Sequence, residues 1–175
     1  RGNYKANSVY GPSLNSSQLM QVRRVVQSFK TNYIRKGMSE YDKALAVFLY
    51  LRSNCSYARR GLQYNNANNA NNAWGALVYN EAQCSGFARA MKALCDGVGV
   101  KCKYVHANSK AVNPSHQWNE IRINGKWYIA DAQSGFFLAG SNTWKNMMGM
   151  RWNTKGLPKC SASDHKKFGF YGSIV

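Results

Sequence analysis

The sequence predicts an α+β domain: apolar residues recur at helical spacing through the first half, alternation sets in near residue 100, and an Asn-Gly pair joins two alternating runs into a hairpin. At 175 residues the chain suits one compact domain with a substantial core and is short for two. Its 45% apolar and 13% aromatic content excludes a wholly disordered polymer.

Residues 1–14 are polar and unpatterned, and read as a loose arm. Leu19, Val22, Val26, Phe29 and Tyr33 then step by three and four, one face of an amphipathic helix ending near Gly37. Ser39 and Asp42 have capping-box spacing, with Asp where Glu or Gln is usual. They head a second helix over residues 40–53, with Ala44, Leu45, Val47, Phe48 and Leu51 as its apolar positions. Residues 65–72 (NNANNANN) are low in complexity and read as a flexible surface loop. A third helix is predicted over 84–95, with Phe87, Met91, Leu94 and Cys95 on one face and Asp96-Gly97 as its stop. Residues 100–107, 116–123 and 126–131 are predicted strands, the last two joined by Asn124-Gly125, a pair that tolerates the positive φ of a type I′ turn. Beyond Ser134 apolar mass continues without a period.

Charge is the outlying feature: 24 Lys and Arg against 7 Asp and Glu give +17, yet charged residues are only 18% of the chain. The excess therefore comes from missing acids. Such a field attracts polyanions, whether nucleic acid, anionic lipid headgroups or the phosphate polymers and carboxylates of a bacterial wall, without choosing among them. No nucleic-acid motif accompanies it, which ranks that partner last. No apolar run reaches the ~18 residues of a membrane-spanning helix. Arg1-Gly2-Asn3-Tyr4 carries no apolar signal region, which fits a cytosolic chain or a trimmed secreted one.

Five cysteines are an odd number, so at least one thiol is free, and no CxxC pair suggests zinc. The few acids form no credible oxygen cage, so neither a metal nor another cofactor is expected. Cys84 lies at a predicted helix start, where unpaired backbone N–H groups and the positive end of the helix dipole favour a thiolate and can hold an oxyanion. Taken alone, it reads equally as a small buried hydrophobe. In the hairpin, opposed residues number 249 in sum, which puts Trp118 across from Asp131 and His116 on the diagonal of the same face. Diagonal neighbours lie about 7–8 Å apart, a gap that an imidazole and a carboxylate can close. A one-residue slip in the turn would separate them. His106 is a competing base without a carboxylate partner, and His165 sits in a basic, solvated stretch. A thiol, an imidazole and an orienting carboxylate are what acyl transfer through a thioester needs.

Trp74 to Leu77, Cys84-Ser85-Gly86-Phe87-Ala88-Arg89-Ala90, Gly99-Val100, His116-Gln117-Trp118-Asn119 and Gly125-Lys126-Trp127-Tyr128-Ile129-Ala130-Asp131 occur in the order seen in the transglutaminase-like superfamily, whose core residues 15–135 resemble. The resemblance implies a papain-like α+β fold with the nucleophile at a helix N-terminus packed on a small antiparallel sheet. It also implies Cys84 as nucleophile, His116 as base and Asp131 as its orienter. Members include crosslinking acyltransferases, proteases, peptide N-glycanases and catalytically dead scaffolds. Two departures stand out: Ala132-Gln133-Ser134-Gly135 follows Asp131 where many members carry Thr-Trp, and Gln83 precedes Cys84 where a small or branched residue is common.

The expected function is thiol-dependent acyl transfer on peptide or glutamine side-chain amides through a thioester at Cys84, as a crosslinking enzyme or cysteine protease. The expected substrate is a protein or peptide, peptidoglycan peptides included, and the expected place is secreted or cell-surface associated. The alternative is a non-catalytic basic module that holds an anionic polymer. With Cys84 free, Cys55, Cys95, Cys102 and Cys160 allow three disulfide pairings; Cys95 and Cys102 flank one short connection but also read as core-facing thiols.

Overall fold

Asn15 starts the first helix: its side chain accepts from Gln18 N while its own N–H donates to Gln18 Oε1, a complete capping box. The computed structural model describes residues 9–12, 14–59 and 69–175. Helix α1 (Ser16–Tyr33) buries Leu19, Val22 and Phe29. Helix α2 (Glu40–Asn54) begins where Ser39 Oγ accepts from Asp42 N, and Glu40 and Asp42 in its first turn complement the dipole. It buries Ala44, Val47, Phe48 and Leu51.

Strand β1 (Ser56–Tyr57) pairs in parallel with β2 (Glu81–Ala82), and a π-helical turn (Gly75–Tyr79) precedes β2. Helix α3 (Cys84–Val98) follows, and ten of its fifteen residues are buried, which makes it the central helix. Asp96-Gly97 does not stop it. The helix runs to Val98 and is capped by Gly99 at φ +84°. Asp96 accepts from Lys92 Nζ at 2.7 Å and from Tyr10 OH at 2.8 Å. A Cβ on Gly97 would fall 2.2 Å from Val26 Cγ1, so this glycine permits close approach of α1. That contact offsets the ~1 kcal/mol helix cost of a glycine.

Five antiparallel strands form the sheet in the order β3 (Cys102–His106), β4 (Gln117–Ile123), β5 (Lys126–Asp131), β6 (Phe136–Ala139) and β7 (Gly169–Phe170). The β4–β5 register runs from Ile123↔Lys126 to Asn119↔Ala130, as the hairpin turn predicts, with Asn124 at φ +51° and Gly125 at +84°. Ile121, Ile123 and Ala130 join the core shared with the helices, while Trp118, Ile129 and Phe136 pack with Trp144 and Trp152 in a second cluster. β6, β7 and the short α4 (Ser141–Asn146) escaped the sequence reading. All four residues of β6 are buried, so they show no alternation, and the other two elements are too short to carry a period.

Two expected loose segments differ where the structure describes them. Residues 1–8 and 13 of the arm lie outside the described residues, but Tyr10 is tied to Asp96 and Gly11 is buried against Asn72. Of the asparagine-rich segment, 65–68 lie outside, whereas Ala70 and Asn72 are buried. Asn72 Nδ2 donates to Pro12 O and Asn69 Oδ1, and its Oδ1 accepts from Gly75 N. A buried amide satisfied on both ends costs little, so low complexity says nothing here about exposure.

Candidate active site

Cys84 is the first residue of α3 and is partly exposed. Gly86 N and Phe87 N both donate to Gln83 O, while the N–H groups of Cys84 and Ser85 meet no acceptor among the described residues. The helix start is held in place by residues 69–72, since Gln83 N donates to Ala70 O at 2.8 Å. A Cβ on Gly86 would sit 2.6 Å from Ala70 O and 2.6 Å from Ala82 Cβ, which explains the glycine two residues after the thiol.

His116 directly precedes β4 instead of belonging to it, with its N–H donating to Asn113 O and its carbonyl accepting from Ala107 N. Its ring is stacked on Trp118, centroids 6.0 Å apart. Asp131 ends β5 and its Oδ2 lies 2.5 Å from His116 Nε2, with both residues buried. Asp131 Oδ1 accepts from Ser134 N at 3.0 Å, and Ser134 Oγ lies 3.2 Å from His116 Nε2. With Nε2 so engaged, Nδ1 is the nitrogen left to face Cys84, whose Sγ donates to the carbonyl of Ser115, the residue before His116, at 3.8 Å. Burial pushes the imidazole toward its neutral form. The charge and hydrogen bond of Asp131, then the neighbouring Cys84, outweigh it and hold the His116 pKa at about 10.

Cys84 and His116 line a cleft of about 630 Å³, with Asp131 buried behind His116. Asn71, Gln83, Asn113, Gln117 and Gln133 line it with amides, and Val112 and Met148 add apolar surface. No Lys, Arg, Asp or Glu lines it among the described residues, although the chain carries +17. His106 lies outside the cleft, its Nδ1 against Ala107 O, and His165 sits between Tyr41 and Tyr128. Ser134 and Asn71 escaped the sequence reading. Ser134 had one legible signal: an Asp followed by Ser at the third and Gly at the fourth position is turn chemistry that brings the Ser N–H to the carboxylate.

All five cysteines are free thiols, so the structure forms none of the three pairings. Cys95 and Cys102 are in contact without a bridge; that hydrogen bond and burial raise the Cys95 pKa. Burial pushes the Cys55 and Cys160 thiols up to about 12.

No helix among the described residues is long and apolar enough to cross a membrane. A crystal structure of a TGase superposes with a TM-score of 0.53 at 18% identity, over 75% of this chain and 36% of its own, a likeness of fold. The kyphoscoliosis peptidase of Mus musculus is 20% identical over 140 residues, 74% of this chain and 21% of its own, so the chain spans about a fifth of that relative. The profile of the transglutaminase-like superfamily matches residues 27–132, a stretch that contains Cys84, His116 and Asp131. Matched over more than half of its length and folded as that likeness implies, the chain belongs to the transglutaminase-like superfamily.

Proposed function

We propose that this chain performs thiol-dependent acyl transfer on peptide or glutamine side-chain amides. The observation that carries the reading is His116, bound on one nitrogen to buried Asp131 and lining the same open cleft as Cys84. In the first step the Cys84 thiolate attacks the amide carbonyl carbon, a C–S bond forms and the π pair moves onto oxygen. Collapse of that intermediate breaks the C–N bond, the departing amine takes the proton of imidazolium His116, and a thioester remains. Water or a primary amine then gives a proton to His116, attacks the thioester and releases the thiolate. Asp131 stabilises the imidazolium and fixes its ring. Beyond Cys84 and His116 no charged side chain lines the cleft among the described residues, which favours a neutral peptide segment there, because a buried charge would find no further counter-charge. The basic exterior suits a substrate at a cell surface or wall, and an anionic polymer as its neighbour.

Iodoacetamide labelling across pH tests this reading. Selective alkylation of Cys84 well below pH 8, lost in His116→Ala, is expected; slow uniform labelling of all cysteines overturns it. Incorporation of a fluorescent primary amine into a glutamine-rich protein identifies a transferase, and release of new N-termini a protease. The +17 charge favours a second reading, a non-catalytic module for an anionic polymer, for which polyphosphate binding would persist without any selective labelling.

A further inference from the structure

An amide attacked by a thiolate places a full negative charge on its carbonyl oxygen, and that oxygen needs hydrogen-bond donors already aimed at it. The backbone N–H of Cys84 is one, since it meets no acceptor among the described residues. The Ser85 N–H beside it also meets no acceptor among the described residues, but both approach from the helix start, and an oxyanion with three lone pairs has room for a donor from a second direction.

We propose that the side-chain amide of Asn71 is the second donor, a catalytic contact that rests on the thioester reading of Cys84. Asn71 lines the same cleft as Cys84 and is joined to the residue after it, because Ser85 Oγ donates to Asn71 Oδ1. The oxygen of the amide faces Ser85 Oγ, which leaves Nδ2 with no protein partner among the described residues. The backbone is anchored as well. Arg89 Nη1 donates to Asn71 O at 2.8 Å, and the Arg89 guanidinium is itself held 4.3 Å over the Tyr104 ring. A donor fixed through its oxygen and its main chain needs little reorganisation when charge develops.

The other amides of the cleft are committed or misplaced. Gln83 Nε2 donates to Ala58 O, Gln117 Nε2 to Ser115 O and Gln133 Nε2 to Ile174 O. Asn113 Oδ1 accepts from Ser115 N in the turn that leads into His116, and Ser115 O accepts from Cys84 Sγ at 3.8 Å, so this amide belongs to the turn that carries the imidazole and has no bond to the first turn of α3 among the described residues. Among these side-chain amides, that of Asn71 is the one bonded to a side chain in the first turn of α3, next to Cys84.

Two reagents separate this role from a structural one. Acylation of Cys84 by p-nitrophenyl acetate passes through an oxyanion, whereas alkylation by iodoacetamide displaces iodide at a saturated carbon and forms none. For Asn71→Ala and Asn71→Asp the acylation rate is expected to fall about 100- to 1,000-fold while alkylation stays within about threefold of the wild type. Asn71 is exposed and its Arg89 contact is made by the backbone, so both variants keep that anchor. Acylation within about threefold of wild type, or acylation and alkylation falling together, overturns the assignment. Wild-type protein that reacts with neither reagent at Cys84 overturns the thioester reading itself, and the assignment with it.

Discussion

His116 Nε2 and Asp131 Oδ2 lie 2.5 Å apart with both side chains almost wholly withdrawn from water, so each would become an unpaired buried polar group without the other. Ser134 closes the far side by donating its N–H to Asp131 Oδ1. The carboxylate is thereby held at both oxygens, and the imidazole can neither rotate nor exchange its tautomer freely.

Removal of that carboxylate should therefore cost both fold and chemistry. Asp131→Ala is expected to destabilise the protein by about 3–5 kcal/mol, the usual cost of breaking a buried pair, as read from urea unfolding. The isosteric Asp131→Asn keeps the volume but removes the charge, and should slow acylation of Cys84 by roughly 10⁴-fold. Its His116 NMR titration should move down from about 10, because burial then acts unopposed by that charge.

The pH dependence has a definite sign. The His116 pKa is raised in the folded protein to about 10 from 6.5, so its contribution to stability is fully present below about pH 6.5 and is lost as pH rises through 10. The rate of Cys84 acylation should accordingly hold through neutral pH and fall on an alkaline limb near 10, where the imidazolium that protonates the leaving amine disappears. A pH–rate profile and unfolding midpoints at pH 6 and above 10 check both statements. A limb near 6.5 would contradict them.

Gly86 and Gly97 separate site from scaffold on one helix. Gly86→Ala puts a methyl 2.6 Å from Ala70 O and should cost about 1–3 kcal/mol while displacing residues 69–72 from the cleft, with a matching loss of acylation. Gly97→Ala meets Val26 on the far side of α3 and should lower the unfolding midpoint comparably, yet leave the acylation rate per folded molecule unchanged.

Ser134→Ala removes the hydroxyl 3.2 Å from His116 Nε2 but keeps the backbone N–H to Asp131. A hydrogen bond of about 0.5–1.5 kcal/mol corresponds to a loss of about threefold to tenfold in acylation. A downward shift of the alkaline limb, restored by Ser134→Thr, distinguishes positioning of the imidazole from general loosening of the turn.

Local chemistry made much of this molecule legible. Asn15 and Ser39 announce their helices, and the Asn124-Gly125 turn fixes a register that extends to Asn119↔Ala130, one residue short of the end of β5, because side chains alternate strictly along a strand. From that register and the position of Cys84 the candidate triad can be listed without coordinates. β6 lacked any alternating pattern, since both of its faces are buried, and the Asp96-Gly97 pair misled because the need for α1 to approach Gly97 outweighs its helix propensity.

The sequence by itself determined helices α1, α2 and α3, the β4–β5 hairpin and the candidate thiol, imidazole and carboxylate, for those depend on contacts a few residues apart or on pairing dictated by one turn. Only the tertiary structure decided that Ala70 and Asn72 from a monotonous stretch are buried near the helix start, that Asn71 lines the cleft, and that no Lys, Arg, Asp or Glu lines it among the described residues of a strongly basic chain. Those properties arise where Ala70 meets Gly86 and Asn71 meets Ser85, across segments whose juxtaposition no periodicity encodes.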